Sequence, residues 1–284
     1  MPLAAVVLVL GAALVHGLWN LILKREGGRA VVMLGALVVG VGFTAPLLLL
    51  YPIRDVPIEG WLLVLLAAAF ETGYVVALSA AYAVGDLSLV YPVARGTAPI
   101  VVAPLAMLVL GERPSAQGLV GIGLVVIGIF GSHLPSLRGA GVAPDARRAL
   151  GLAVVTGLMT SGYSIVNKLG VGLVPVPVYS ASVFALNAVF FALILRRRGV
   201  DLASVRATPW RPTIAMGVLM MLAYMAVLLA MSMAPVMYVV AAREVSIVVG
   251  AALGAVALRE RHPVARVAGA IVIFAGVAVL ALAR

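Results

Sequence analysis

Ten stretches of this chain are each about as long as a bilayer is thick, and few charges interrupt them. An α-helix rises 1.5 Å per residue, so roughly 20 residues cross the hydrocarbon core of about 30 Å. The candidate spans are 3–24, 30–51, 60–84, 87–110, 116–134, 148–170, 176–195, 212–233, 235–258 and 263–283. Only Gly85 and Asp86 separate the third from the fourth, and the eighth meets the ninth at Ala234-Pro235. Such tight joints predict antiparallel hairpins. Of the 284 residues, 64% are hydrophobic and 11% charged, against about 25% charged in soluble domains. A chain of this composition cannot cover itself with a water-facing surface. The expectation is an all-α, multi-pass integral protein of the cell (inner) membrane, with the lipid bilayer as a partner. The opening run MPLAAVVLVLGAALVHGLW has no basic start and reads as a retained first span rather than a signal peptide.

The charges fall mostly between the spans. Fourteen of the twenty basic residues lie in the connections after spans one, five, seven and nine, and four lie on the other face: Arg54, Arg113, Lys168 and Arg284. Arg95 and Arg243 are inside spans. This distribution explains the net charge of +10 by the positive-inside bias, so no nucleic-acid partner is expected. It also places both termini outside the cytoplasm. There is no cysteine and there are three scattered histidines, so neither a metal cluster nor a cofactor is expected. No phosphate-binding loop is present to couple ATP. The longest connections, 135–147 and 196–211, leave no soluble domain for an enzyme, and none is expected.

The two halves of the chain resemble each other. Arg95 precedes Glu112 of "GER" by 17 residues, and Arg243 precedes Glu260 of "RER" by 17. The shift of 148 that relates them also superposes Gly121 on Gly269 and Gly128 on Gly276. At a shift of 144, "HGLWNLILK" (16–24) meets "TSGYSIVNK" (160–168), Trp19 falling on Tyr163 and Lys24 on Lys168. The organisation this predicts is a first five-helix repeat over 1–135, a connecting loop over 136–147 and a second five-helix repeat over 148–284. An odd number of spans per half inverts one half relative to the other. Inverted repeats of this kind build transporters with a midplane site at the repeat interface.

In "PVARGTAPIVVAPLAMLVLGERPSAQGLVGIGLVVIGI" (92–129) and "VMYVVAAREVSIVVGAALGAVALRERHPVARVAGAIVIFAGVAVL" (236–280), with ten spans in two halves, the chain resembles the EamA-type transporters of the drug/metabolite transporter superfamily. The resemblance covers nearly the whole chain. It implies a ten-helix fold and transport of a small metabolite, without naming the substrate. It also implies cytoplasmic termini, opposite to the reading of the loop charges.

Ionisable groups at bilayer depth are costly, about 2.5 to 3.5 kcal/mol on insertion scales, and face the bundle interior. Glu71, in "AAAFETGYVVAL", is a candidate proton-coupling group, and Glu244 is a second. Arg95 and its repeat mate Arg243 are candidate anion holders, because a guanidinium stays charged and forks onto a carboxylate. The alternative is internal pairing, Arg95 with Glu71 and Arg243 with a carboxylate of another span. Two polar stripes run at helical spacing, His16, Asn20 and Lys24 in span one and Thr156, Thr160, Ser164 and Lys168 in span six. They face either a cavity or neighbouring helices. Trp19, Tyr74, Tyr91, Tyr163 and Tyr238 group near the charges and are candidates for a binding wall, together with Asn20 and Ser164. Pro92, Pro99 and Pro104 in span four, with Gly96 beside Arg95, predict a helix able to open at the crevice.

The leading expectation is a secondary, proton-coupled exporter of a small anionic or zwitterionic metabolite, such as an amino-acid-like compound, by alternating access. Its partners are that solute and the proton gradient, and its state a monomer or homodimer. Two alternatives are a lipophilic-cation (multidrug) exporter using Glu71 with both arginines structural, and a lipid-linked sugar flippase or a scaffold.

Overall fold

The computed structural model describes residues 1–26, 30–51, 53–85, 87–139, 145–249 and 263–283. The described residues form helices and connecting turns, with no strand among them. The helices are α1 Leu3–Arg25, α2 Ala30–Leu48, α3 Ile58–Val84, α4 Leu87–Val109, α5 Ala116–Gly139, α6 Ala146–Gly170, α7 Val176–Arg197, α8 Trp210–Met233, α9 Val236–Arg243 and α10 Pro263–Leu282. Seven of them, α1 to α4 and α6 to α8, are long and apolar enough to cross a membrane. The apolar stretches Ala116–Ser132 of α5 and Val267–Leu282 of α10 are shorter. Span nine departs from its prediction as one continuous helix. It breaks at Glu244, where the amide bonds Ala241 O at 3.1 Å, and helix resumes over 245–249. Its remainder, with the "RER" segment and Glu260, lies outside the described residues. Helix α5 runs to Gly139 and α6 begins at Ala146, so the helices extend into the 136–147 loop expected between the halves.

The prolines of α4 do not break it. The helix stays continuous from Leu87 to Val109 with Pro92, Pro99 and Pro104 inside. The interruption falls instead at Glu244, the position 148 residues after Gly96. Discontinuous membrane helices are tolerated where the freed backbone is buried in protein or lines a cavity.

Both chain ends meet on one face. The Met1 amine donates to Ala283 O at 2.6 Å and to Ala281 O at 3.2 Å. The joints between α2 and α3, α4 and α5, α6 and α7, and α8 and α9 fall at this terminal face, by the alternation of helix direction. The opposite, basic face carries the Arg-rich connections.

The halves interlock rather than sitting side by side. Helix α1 packs on α8 and α6 on α3, so the first helix of each half lies against the third of the other. Helices α5 and α10 form a pair of their own. There the glycine contacts are reciprocal. A Cβ on Gly121 would stand 3.0 Å from Gly276 O, and one on Gly128 would stand 2.9 Å from Gly269 O. Since Gly121 is the repeat mate of Gly269, and Gly128 of Gly276, each contact is the other's image under a two-fold operation. Only residues without side chains permit backbones this close.

The hydrophobic core is continuous at one end and split at the other. In the terminal half a single cluster joins α1 and α3 to α10, including Val9, Val64, Val102, Met231 and Leu280. Toward the basic face it divides. Ala81, Leu89, Val90, Ala94, Ala149 and Ala153 hold α3, α4 and α6 together. Val32, Ala36 and Met216, with Trp19 against them, hold α1, α2 and α8. The opening between these wings is where the candidate site lies.

Candidate functional site

A cavity of about 230 Å³ occupies the centre of the bundle. Residues from α1, α2, α3, α4, α6, α7, α8 and α9 line it. Most of the wall is apolar or aromatic, including Met33, Leu37, Phe184, Phe191, Met220 and Val227. The charged lining residues are Glu71, Arg95 and Arg243. The volume lies below the roughly 300–1,000 Å³ typical of drug-sized pockets, as suits a small metabolite.

The two arginines are not in equivalent states. Arg95 approaches Glu244 Oε2 with its Nε at 3.1 Å, and its Nη2 donates to Ser246 Oγ at 2.7 Å. Glu244 is fully buried. The Arg95–Glu244 contact is ionic rather than a well-aligned hydrogen bond, since neither Glu244 oxygen nor Arg95 Nε has a hydrogen-bond partner among the described residues. Arg243 makes no ion pair among the described residues. Its Nη2 donates to Tyr163 Oη at 3.1 Å, its guanidinium carbon lies 5.8 Å from the Tyr163 ring centroid, and its Nε has no partner. Buried polar groups normally find partners, so Arg243, a cavity-lining residue, carries a buried donor that no described residue satisfies.

Glu71 makes no ion pair among the described residues either. Its Oε2 accepts from Asn187 Nδ2 at 2.7 Å and its Oε1 from Tyr224 Oη at 2.8 Å. Asn187 Oδ1 accepts in turn from Thr72 Oγ1 at 3.1 Å. Tyr224 Oη also reaches Asn167 Oδ1 at 3.3 Å, where Tyr179 Oη donates at 3.0 Å. Helices α3, α6, α7 and α8 thus converge on one carboxyl. The expected alternative pairing of Arg95 with Glu71 does not form; Glu244 takes that arginine.

Of the sequence-predicted candidates, Trp19, Glu71, Tyr74, Arg95, Tyr163 and Arg243 come together around the cavity. The Tyr74 and Tyr163 rings meet edge to face at 6.3 Å, and Trp19 meets His16 at 4.8 Å. The others sit elsewhere. Asn20 is exposed and donates to His16 O at 2.7 Å. Ser164 is buried and donates to Thr160 O at 2.7 Å. Thr156 and Thr160 bond carbonyls of their own helix in the same way, while Lys168, the last of the α6 stripe, reaches Met231 O and Ala234 O at the end of α8. Tyr91 is not among the cavity-lining residues; it stands against Arg95 and packs on the main core cluster. Tyr238 accepts from Ser115 N at 2.9 Å, at the terminal face. Glu244 acts behind the wall through Arg95.

Thr72, Asn167 and Asn187 were not among the sequence-predicted site residues, yet they build the Glu71 network. A signal existed. Asn187 is the one amide in the apolar run "ASVFALNAVFFALIL", and Asn167 immediately precedes Lys168. Side-chain amides in membrane helices seek partners across helix interfaces.

The comparisons with known proteins agree with this architecture. The model of the EamA-like transporter family matches the chain twice, over residues 3–133 and 147–282. A solved structure described as "Crystal structure of protein" superposes with a TM-score of 0.80, covering 98% of this chain and 96% of its own, at 19% identity. That likeness is one of fold. No curated protein matches the sequence. With two family matches that leave little but the joint between the halves uncovered, the chain belongs to the EamA-like transporter family of the drug/metabolite transporter superfamily.

Proposed function

We propose that this membrane transporter carries a small zwitterion with an apolar body, of amino-acid type, by proton-coupled alternating access. The observation that carries the reading is a pair of opposite charges in one apolar cavity, neither of which makes an ion pair among the described residues. Arg243 makes no ion pair among the described residues and its guanidinium is available to a carboxylate, and Glu71, whose hydrogen-bond donors among the described residues are neutral, takes an ammonium group. The aliphatic and aromatic wall takes the rest of the solute. Arg95, already neutralised by Glu244, positions rather than binds. Glu71 is the coupling group, because a carboxyl can carry either a proton or an ammonium partner, but not both. The division of the core on the side with most of the basic loops supports access to the cavity from that face. By the positive-inside bias that face is cytoplasmic, which supports loading from inside and export.

A lipophilic cation is the second reading. It is favoured by the apolar wall and by Glu71 having no ion pair. It ranks lower because Arg243 lines the same cavity and repels a cation.

The test is counterflow in proteoliposomes. Radiolabelled leucine or phenylalanine should accumulate against a trapped pool of the same solute, and Arg243→Gln should abolish this. Exchange of tetraphenylphosphonium without exchange of either amino acid overturns the proposal in favour of the second reading.

A further inference from the structure

We infer that Glu112 and Lys168 form the latch that keeps the cavity shut at the terminal face, an inference that rests on the alternating-access reading above. The α8–α9 joint at Ala234-Pro235 turns the chain inside the bundle and leaves helix-end groups without intrahelical partners. Pro235, at the N-cap of α9, supplies no side-chain cap. Two charged side chains from other elements take these groups. Glu112, between α4 and α5, accepts from Val236 N at 2.7 Å through Oε1, and its Oε2 lies 3.5 Å from Met237 N. Lys168, in the last turn of α6, donates to Met231 O and to Ala234 O. Each charge has the sign its helix end favours, an anion at the N-terminus of α9 and a cation at the C-terminus of α8. One acid and one base therefore bind four elements to a single joint.

The place of this clasp gives it a role beyond packing. Asn167, next to Lys168, lines the cavity, so the clasp begins one residue outside it. Between it and the cavity α9 is sealed: Val236 to Ala242 are at most 2% exposed, and Arg243, next along the helix, lines the cavity. The core is continuous at this face and divided at the other. The sequence repeats both latch residues, Lys24 and Glu260 being the mates of Lys168 and Glu112. Alternating access needs one closed face at a time. Opening this face must part that core as well, and the two charged side chains are the polar part of its closure.

The natural chain has no cysteine, so a single Ala223→Cys reports on the cavity, which Ala223 lines. In proteoliposomes, a membrane-impermeant methanethiosulfonate is applied to one face at a time, the terminal face being identified by protease removal of a C-terminal tag. The parent should label from the basic face. Adding Glu112→Gln or Lys168→Met should raise labelling from the terminal face about tenfold or more, as a shift between two exclusive states requires. Labelling from the basic face should fall in step. Lys168→Arg, which keeps the charge and donors, should behave as the parent. A rise at both faces marks a loosened or unfolded bundle and overturns the latch, as does no change at either face. A parent that labels equally from both faces refutes the alternating-access reading itself.

Discussion

Glu244 pairs with Arg95 across 3.1 Å, and Arg243, its neighbour in sequence, has no carboxylate in ion-pair contact among the described residues. The two arginines are repeat mates, so the halves that share a fold do not share a charge state. The pair is buried, which makes the cost of breaking it specific. Arg95→Met should destabilise the protein by about 3–5 kcal/mol by stranding the Glu244 charge, whereas Arg95→Met with Glu244→Leu should recover most of that loss. Thermal unfolding in detergent reads both.

Arg243 should behave differently. It makes no ion pair among the described residues, so Arg243→Gln should cost less stability than Arg95→Met. It should weaken zwitterion binding at least tenfold, since a hydrogen bond to a charged group contributes about 1.5–3 kcal/mol. Arg243→Lys should fall between, keeping the charge without the planar fork. Isothermal titration of parent and variants separates the three.

Glu71→Gln fixes a neutral amide where a carboxyl exchanged its proton. Flux driven by a pH gradient in proteoliposomes should be lost, while counterflow exchange at equal pH persists. Unchanged pH-driven flux removes Glu71 from the coupling role.

The glycine seam between α5 and α10 should tolerate no side chain. In Gly128→Ala the new Cβ would stand 2.9 Å from Gly269 O, a backbone atom that cannot rotate away. Overpacking of this kind costs about 1–3 kcal/mol. Gly123→Ala, with nothing within 4 Å of its Cβ position, should leave the melting temperature unchanged.

Much of this architecture was legible in the sequence because membrane helices must satisfy their own backbone. Long apolar runs therefore mark them, and the Arg-to-Glu spacing reveals the repeat. Glu71, Arg95 and Arg243 stood out as charges in apolar runs. The partners were less legible. Whether Glu244 turns toward Arg95 depends on how α9 breaks and crosses α4, a tertiary fact that helical periodicity does not contain. The α6 stripe misled for a local reason: Thr156, Thr160 and Ser164 each bond a carbonyl one turn back, which makes a polar face without a cavity. Asn187 carried a signal, an amide in an apolar run, but its meaning came only from the carboxyl on α3.

The central claim is that one cavity recognises both poles of a zwitterion. It is tested most directly by thermal stabilisation of the purified protein, since a ligand that binds only the folded state raises the apparent melting temperature by mass action. The panel is phenylalanine, its methyl ester, phenethylamine and tetraphenylphosphonium. The account predicts stabilisation by phenylalanine, little by the ester or the amine, and loss of the phenylalanine effect in Arg243→Gln. Stabilisation by tetraphenylphosphonium and the amine, with none by phenylalanine, would contradict it.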